Sequence, residues 1–347
     1  MTDSSSGAAM AHSSKLGEGE VEPPRRRHGS SVERSLQAAA PYGTTATLIL
    51  LFAIFAAAKP EEFLAGDNLR AILSQAALLA IVAGGLTIPL ISLDFDLSIG
   101  AMASLGGLTV ALLLQHDFPL VGAVAMVVAL AVAVGVVNGL VVVRLGVSAF
   151  IATLAAMSVL TGLGEWWSNG TTVPILDPAF ASWATAKLAG FEVPVVIAVV
   201  WYVILWVTLE RTTLGRKIYA VGANSEAARL TGLRVRSLRV GAFVVSAVAA
   251  AVAGVLLTSK LTGAYQGAGD AYLLDAFCAV FLGAVTWRIG QFHIMGTAIG
   301  ILLLAVLTNG LNIIGLPAYL VSIAKGVVLV AAVAIAGTSG TLKGARK

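Results

Sequence analysis

The chain has 347 residues, of which 58% are hydrophobic and only 12% are charged, and its mean hydropathy is +0.92. An ordinary soluble domain carries about 25% charged residues, so this composition excludes a soluble globular protein and predicts a chain that lies in a lipid bilayer. The net charge of +4 indicates orientation signals in such a chain rather than a nucleic-acid site.

Residues 1–40 differ in composition from the rest of the chain. They are rich in Ser, Gly, Glu and Arg and show no apolar periodicity, so they cannot bury enough surface to fold. The basic stretch PPRRRHGSSVERS lacks the apolar core and cleavage site of a secretory signal. We expect a disordered cytoplasmic tail.

Apolar segments fill most of the remaining chain. A helix needs about 20 mostly apolar residues to cross about 30 Å of hydrocarbon. Ten segments approach this length, at residues 43–58, 70–90, 97–114, 119–143, 148–164, 193–209, 239–259, 272–287, 292–313 and 318–337. We therefore expect an all-α polytopic membrane protein with about ten transmembrane helices, formed by residues 41–337 and followed by a cytoplasmic tail at residues 338–347.

The distribution of basic residues predicts the orientation. With the amino terminus inside, the inner stretches hold 17 Lys and Arg, and the outer stretches hold four, Lys59, Arg70, Lys187 and Lys260. Only Lys325 lies within a span. Because short cytoplasmic loops carry the excess of basic residues, both termini are predicted to be cytoplasmic.

Two carboxylates, Asp94 and Asp96, interrupt the apolar sequence between the second and third segments. A carboxylate at the bilayer centre costs about 2.5–3.5 kcal/mol, so two close together are expected in a turn or in a cavity lined by protein. The turn falls near the inner face, where Asp96 is placed to cap a helix that begins at Leu97. Ion binding by the same carboxylate is the alternative.

The outer connection at residues 165–192 is one of two long loops. It contains Trp166, Trp167 and Trp183, and tryptophan is enriched where the chain meets the lipid headgroups. We interpret the three as an aromatic anchor, with direct contact to an external partner as the alternative.

The inner connection at residues 210–239 contains the signals of a short helix. Asn224 and Ser225 are a start signal, residues 226–230 are strong helix formers, and Gly232 is a stop. The helix could lie on the headgroups. Ala227 and Ala228, however, would form a small, smooth face that inserts into a groove of another protein.

The usual motifs of enzymes and metal sites are missing from the sequence. It has no phosphate-binding G-x-x-x-x-G-K-[ST] loop and no H-E-x-x-H pair, and its four histidines are scattered. The single cysteine, Cys278, lies in an apolar run and is interpreted as a small buried hydrophobe. These features predict that the chain is not an enzyme and holds no cofactor or metal.

Transport is the function class that the sequence favours. Small-residue pairs, Gly135 with Gly139 and Gly296 with Gly300, allow close helix contact. Polar residues in or near spans suit a neutral polyhydroxylated solute, which needs amide and hydroxyl partners but no counter-charge. These candidates for a translocation path are Gln75, Asn138, Thr153, Thr161, Asn309 and Asn312. Most of them are expected to bond between helices.

Over residues 45–337 the sequence resembles the ribose-type sugar ABC transporter permeases. That family typically carries a G-I-D-L-S-V-G stretch, which LDFDLSIG at residues 93–100 resembles, with Asp96 as the motif aspartate and Asp94 as an extra acid. Further similar stretches are SAFIATLAAMSVLTGL, TTLGRKIYAVGANSEAARLTGL, LLDAFCAVFLGA and TNGLNIIGLPAYLVSIAKGVVLVAAV. The resemblance makes Asp94, Asp96, Ser98 and Gly100 candidates for a helix cap and gate.

The resemblance also implies partners. These are a second copy of the permease, an ATPase subunit with two fused cassettes, and a periplasmic or lipid-tethered sugar-binding protein, assembled at a bacterial inner membrane. It makes the short inner helix the coupling helix that docks on the ATPase, through Asn224, Ser225, Glu226, Ala227, Ala228, Arg229, Leu230 and Gly232. One departure is that Trp287, Arg288 and His293 replace the small residues of a glycine-rich stretch.

Two alternatives remain open from the sequence. The solute could be an autoinducer, a polyol or a nucleoside carried by the same machinery. A different class, an ion-coupled secondary transporter, would use Asp94, Asp96, Asp275 or Lys325 as the coupling group. The inner loop discriminates between the classes, because its helix has a role with an ATPase and none in an ion-driven carrier.

Overall fold

The computed structural model describes residues 42–288 and 290–344, and for residues 332–344 it describes only the helix itself. The predicted amino-terminal tail lies outside the described residues. The helices, numbered here in chain order, are α1 Gly43–Ala58, α2 Pro60–Phe63, α3 Gly66–Ile91, α4 Ile99–Gln115, α5 Leu120–Leu145, α6 Ala149–Ser168, α7 Pro178–Trp183, α8 Val193–Trp206, α9 Thr213–Ala223, α10 Ser225–Leu230, α11 Val235–Leu261, α12 Asp270–Ala284, α13 Ile294–Ile313 and α14 Ala318–Gly344.

Each of the ten predicted apolar segments coincides with one of these helices. Six helices in the described part of the chain, α3, α5, α6, α8 with its π-helical extension, α11 and α13, are long and apolar enough to cross a membrane. The chain is therefore a helical, polytopic membrane protein, whereas the count of about ten spans stays a prediction. Helix α14 continues to Gly344, and the assignment of residues 338–347 to a cytoplasmic tail stays a prediction.

Four two-residue strands join the loops at one end of the bundle. Strand β1, Val173–Pro174, pairs antiparallel with β4, Gly263–Ala264. Strands β2, Lys187–Leu188, and β3, Phe191–Glu192, form a hairpin. These pairings fasten the long loop at residues 165–192. Of its three tryptophans, Trp166 is exposed and the other two are half-buried.

Helix α11 forms the centre of the bundle and packs against α3, α4 and α5. Small residues allow this close approach, because a Cβ on Gly135 would lie 2.5 Å from Cα of Val244, and one on Gly139 would lie 2.7 Å from Cα of Val240. Gly300 packs in the same way against the backbone of Ala279, which brings α12 and α13 together. The predicted helix contacts at these glycines are confirmed.

The bundle has two ends that carry different features. Helix α3 runs from Gly66 to Ile91, and its residues Ser74 and Ile91 are about 25 Å apart at 1.5 Å per residue. We call the end near Ser74 the cavity end. The end near Ile91 carries the turn at residues 92–98, helices α9 and α10, and residues 285–288, and we call it the loop end.

Candidate functional site

A cavity of about 420 Å³ opens at the cavity end, between α3, α11, α12, α13 and α14. Its polar lining consists of Ser74, Gln75, Lys260, Tyr265, Tyr272, Asp275, Thr308 and Lys325, and the remaining wall is aliphatic. Polar groups that converge in a concave, partly apolar site are typical of a small-molecule site. The cavity is therefore the candidate for the place where a solute contacts this chain.

The charged side chains of the cavity are paired within the chain. Lys325 Nζ donates to Asp275 Oδ2 at 2.7 Å, between α14 and α12. Lys260 Nζ lies 3.3 Å from Glu192 Oε2, and the Ser74 hydroxyl contacts both partners. Each lysine thus has a carboxylate beside it, and the lining carries no unbalanced charge at these four residues. Such a lining offers donors and acceptors without selecting for an ion.

Of the six predicted path residues, the structure places Gln75 in the cavity wall. Asn138 Nδ2 donates to Ser98 Oγ at 3.1 Å, and Thr153 Oγ1 accepts from the backbone N–H of Leu97 at 3.0 Å. Asn309 exchanges amide hydrogen bonds with Asn68 at 2.9 and 3.1 Å.

The two remaining path candidates, Thr161 and Asn312, are half-buried and exposed, respectively. The six residues therefore do not form one path in this chain. Buried amides and hydroxyls must find partners, and those of Asn138, Thr153 and Asn309 find them in neighbouring elements.

In the turn between α3 and α4, the two carboxylates of Asp94 and Asp96 have different hydrogen-bond partners. Asp94 is buried, and it accepts two hydrogen bonds from Arg239 of α11, from Nε to Oδ2 at 2.7 Å and from Nη2 to Oδ1 at 2.5 Å. This bidentate geometry is the strongest that a carboxylate and a guanidinium form. The extra acid of the motif therefore fastens the turn to the central helix.

Asp96 is fully buried, and its Oδ1 accepts from the backbone N–H of Ser98 at 3.0 Å and from the Ser98 hydroxyl at 2.6 Å. Helix α4 begins at Ile99 with Ser98 at the N-cap position, two residues later than predicted, so Asp96 holds the turn that precedes the helix. The local bond to Ser98 is the physical reason for the shift, because it competes with helix formation at residues 97 and 98. The predicted role of Asp96 as a helix cap remains a prediction.

Gly100, in the first turn of α4, lets α4 approach the start of α12. A Cβ on Gly100 would lie 3.2 Å from Cα of Asp270, and one on Gly269 would lie 2.5 Å from the carbonyl oxygen of Gly100. The turn at residues 92–98 is thus joined through α4 to a helix that lines the cavity. Within the described residues no group of three or more His, Cys, Asp and Glu is placed to hold a metal ion.

The predicted short inner helix is present as α10, Ser225–Leu230. Asn224 Oδ1 accepts from the backbone N–H groups of Glu226 at 3.1 Å and Ala227 at 2.9 Å, which confirms the start signal. Gly232 has a positive φ of 83° in the turn that follows, a conformation that glycine adopts without strain. Glu226 and Arg229 form an exposed ion pair at 2.6 Å, and this hydrogen bond lowers the pKa of Glu226.

The prediction that both alanines face a partner is wrong for one of them. Ala227 is exposed, but Ala228 is buried against the protein's own helices, because a one-and-a-half-turn helix has to turn one side towards its support. Leu230 is 75% exposed and lies on the free side together with Ala227. The exposed surface of α10, which is the candidate for contact with a partner, consists of Glu226, Ala227, Arg229 and Leu230.

Helix α9, which the sequence analysis did not predict, packs against α10. Gly222 packs directly against the carbonyl oxygen of Ile91 at the end of α3, and Gly215 packs against that of Leu209. Leu209 belongs to a π-helical turn, Val207–Arg211, that continues α8. Gly215 and Gly222 are seven residues apart and therefore lie on the same side of α9. Small residues at that spacing are the signal that could have predicted this docking.

The residues that depart from the glycine-rich family stretch are built into the loop end. Arg288 makes a bidentate ion pair with Glu210, at 2.9 and 2.8 Å. His293 caps α13 with its Nδ1, which accepts from the N–H of Gly296 at 3.0 Å, while Nε2–H donates to the carbonyl of Thr286 at 2.8 Å. With one ring nitrogen accepting and the other donating, these contacts suit a neutral imidazole. Trp287 is half-exposed with a positive φ of 54°.

Comparison with known proteins identifies the class to which this arrangement belongs. Residues 68–333 match the family model described as the permease component of branched-chain amino acid transport systems. The ribose import permease protein RbsC of Haemophilus influenzae is 35% identical over 300 residues, which cover 85% of this chain and 93% of that protein. The corresponding protein of Bacillus subtilis is 34% identical over 288 residues, or 82% and 89% of the two chains.

The D-allose transport system permease protein AlsC of Escherichia coli is 31% identical over 295 residues, or 85% of this chain and 90% of that protein. No solved structure matches the chain. The chain belongs to this family of transport permeases. The predicted class, a membrane-spanning permease subunit of an ABC importer and not an enzyme, is confirmed.

Proposed function

We propose that this chain is the membrane-spanning subunit through which an ATP-driven importer moves a sugar into a bacterial cell. The observation that carries the proposal is the cavity lined by Gln75, two tyrosines and two internally paired lysines. Hydroxyl groups of a neutral polyhydroxylated solute need both donors and acceptors, and such a lining supplies them without an unbalanced charge. The relatives named for ribose and allose support the sugar class.

The two ends of the bundle correspond to two partners in this proposal. The cavity end faces outwards, towards a periplasmic or lipid-tethered binding protein that delivers the solute. The loop end faces the cytoplasm, where α10 docks on an ATPase subunit with two fused cassettes. The excess of Lys and Arg at the loop end supports this orientation, and with it ten spans and cytoplasmic termini.

A second copy of the chain completes the pathway in this proposal. In one copy the cavity is only partly enclosed by the helices that line it. Two copies that faced each other would enclose the solute between two such cavities. The finer substrate choice, whether ribose, another sugar, a polyol, a nucleoside or an autoinducer, depends on the binding protein as well as on this lining.

An ion-coupled carrier is less well supported, because three of its four candidate coupling groups are already paired. Asp94 is bound to Arg239, and Asp275 is bound to Lys325, so an ion would have to displace a strong charge-assisted bond. Asp96 is the remaining candidate, and it is bonded to Ser98.

Reconstitution in liposomes tests the proposal. The chain is compared alone and together with its ATPase and binding protein, with a mixture of labelled pentoses and hexoses outside. We expect uptake only with both partners and ATP. Uptake by the chain alone, driven by a sodium or proton gradient, would contradict the proposed class.

A further inference from the structure

Glu210 joins three separate elements at the loop end. It lies in the π-helical turn that continues α8, its Oε1 and Oε2 each accept from Arg288 in the loop between α12 and α13, and its Oε1 lies 3.4 Å from the hydroxyl of Tyr219 on α9. The carboxylate is largely shielded, with 19% of its side chain exposed, whereas Arg288 is 49% exposed. Pairing with Glu210 raises the pKa of Arg288.

These contacts lie between the exposed surface of α10 and the cavity. Helices α9 and α10 pack on each other, and Gly222 and Gly215 dock α9 on the ends of α3 and the π-helical turn. On the other side, Arg288 follows α12 and precedes α13, and both helices line the cavity through Asp275 and Thr308. The Glu210–Arg288 pair, with its contact to Tyr219, is therefore a polar connection through which a movement of α9 can reach the loop that joins α12 to α13.

We propose that the Glu210–Arg288 pair, steadied by Tyr219, is a clamp that transmits movement of the coupling segment to the two helices that line the cavity. The inference rests on the proposed function, since it assigns the path by which that same machinery is coupled. Glu210 and Arg288 are positioning residues, because they touch neither the solute nor the nucleotide. A bidentate guanidinium–carboxylate pair suits this role because its two parallel bonds fix direction as well as distance.

The mechanical role differs from a stabilising one in what it predicts. If the pair only stabilised the fold, its loss would lower the thermal stability and leave the coupling of hydrolysis to solute intact. A clamp predicts the reverse order of effects, with a loss of coupling in protein that still inserts and assembles. Coupling between two sites typically changes a response by a factor of about 5–150.

The test uses the complete transporter in liposomes and measures ATP hydrolysis with and without solute-loaded binding protein. In Arg288→Gln and in Glu210→Gln, we expect the solute-stimulated rate to fall at least about fivefold, with basal hydrolysis and complex assembly unchanged. The double variant should lose no more than either single variant, because both remove one interaction. Exchange of the charges, Glu210→Arg with Arg288→Glu, should restore part of the stimulation.

Lys59→Gln is the matched control, because it removes an exposed ion pair with Glu62 that joins residues only three apart. It should behave as the wild type. Stimulation that stays at the wild-type level in both single variants would overturn the clamp. If a single variant fails to insert, the charge exchange decides, since it keeps a pair and must then show stimulation. A wild-type complex that takes up solute without ATP would instead refute the proposed function itself.

Discussion

Each end of the bundle contains ion pairs between separate elements. Two at the cavity end lie beside open space and are Lys325–Asp275 and Lys260–Glu192. Two at the loop end join packed elements and are Arg239–Asp94 and Arg288–Glu210. Both ends thus contain paired charges, although only 12% of the residues in the chain are charged. The difference lies in what surrounds each pair. Around the cavity the neighbours are aliphatic walls and hydroxyl groups, and at the loop end Gly215 and Gly222 bring the elements that carry the pairs close together.

This contrast indicates a division of work. A pair that lines a cavity keeps polar atoms available to a solute while its net charge stays at zero. A pair between packed elements orders the chain and ties one helix end to another. Loss of a pair should therefore disturb solute transfer at the cavity end, and it should disturb the response to ATP at the loop end.

The largest effect is expected from the cavity pair. Lys325→Leu leaves Asp275 as a part-buried, unpaired carboxylate at membrane depth, and breaking such a pair costs about 3–5 kcal/mol. We expect a strong loss of thermal stability and of uptake, read from melting in detergent and from solute transport. The double variant Lys325→Leu with Asp275→Leu should recover stability but not uptake. Recovery of both would show that the pair is structural and would remove the functional contrast between the two ends.

A smaller effect is expected at the partner surface of the loop end. Leu230→Asp places a charge on the exposed apolar side chain of α10, and an interface anchor is worth about 2 kcal/mol or more, or roughly a 30-fold weaker affinity for the ATPase. Co-purification of the two subunits measures the change. Leu176→Asp is the control, because Leu176 is 77% exposed at the cavity end and should leave retention of the ATPase unaltered. Equal retention in both variants would argue against docking through α10.

The smallest effect is expected at the turn before α4. Asp96→Asn keeps an oxygen that accepts from the N–H of Ser98, so most transport should remain. Asp96→Leu removes that acceptor and should cost about 0.5–2 kcal/mol, with reduced folding or gating. Uptake and melting of the two variants are compared at matched expression. A complete loss of transport in the Asn variant would mean that the charge itself is needed, and the turn would then belong with the cavity in function.

Local features of this protein followed from sequence because they depend on neighbours a few residues away. The ten apolar segments, the cap at Asn224 and the close contacts at Gly135 and Gly139 each rest on composition or on spacing along one helix. The burial of Ala228 was missed, since a six-residue helix does not indicate which of its sides is supported. Helix α9 was missed although Leu214, Ile218 and Val221 recur at helical spacing, because its 11 residues are too few and too polar to stand out as an apolar segment.

What the sequence by itself determined is the environment and the class of this protein. Length, hydropathy and the order of apolar segments place it in a membrane, and the similarity to permeases over residues 45–337 indicates transport. Only the tertiary structure decided which polar groups meet. Asp94 and Arg239 are 145 residues apart in the chain, Glu210 and Arg288 are 78 apart, and Asp275 and Lys325 are 50 apart. The physical reason is that a buried charge needs a counter-charge from whichever helix packs beside it, and helix packing is set by shape across the whole bundle rather than by any local pattern.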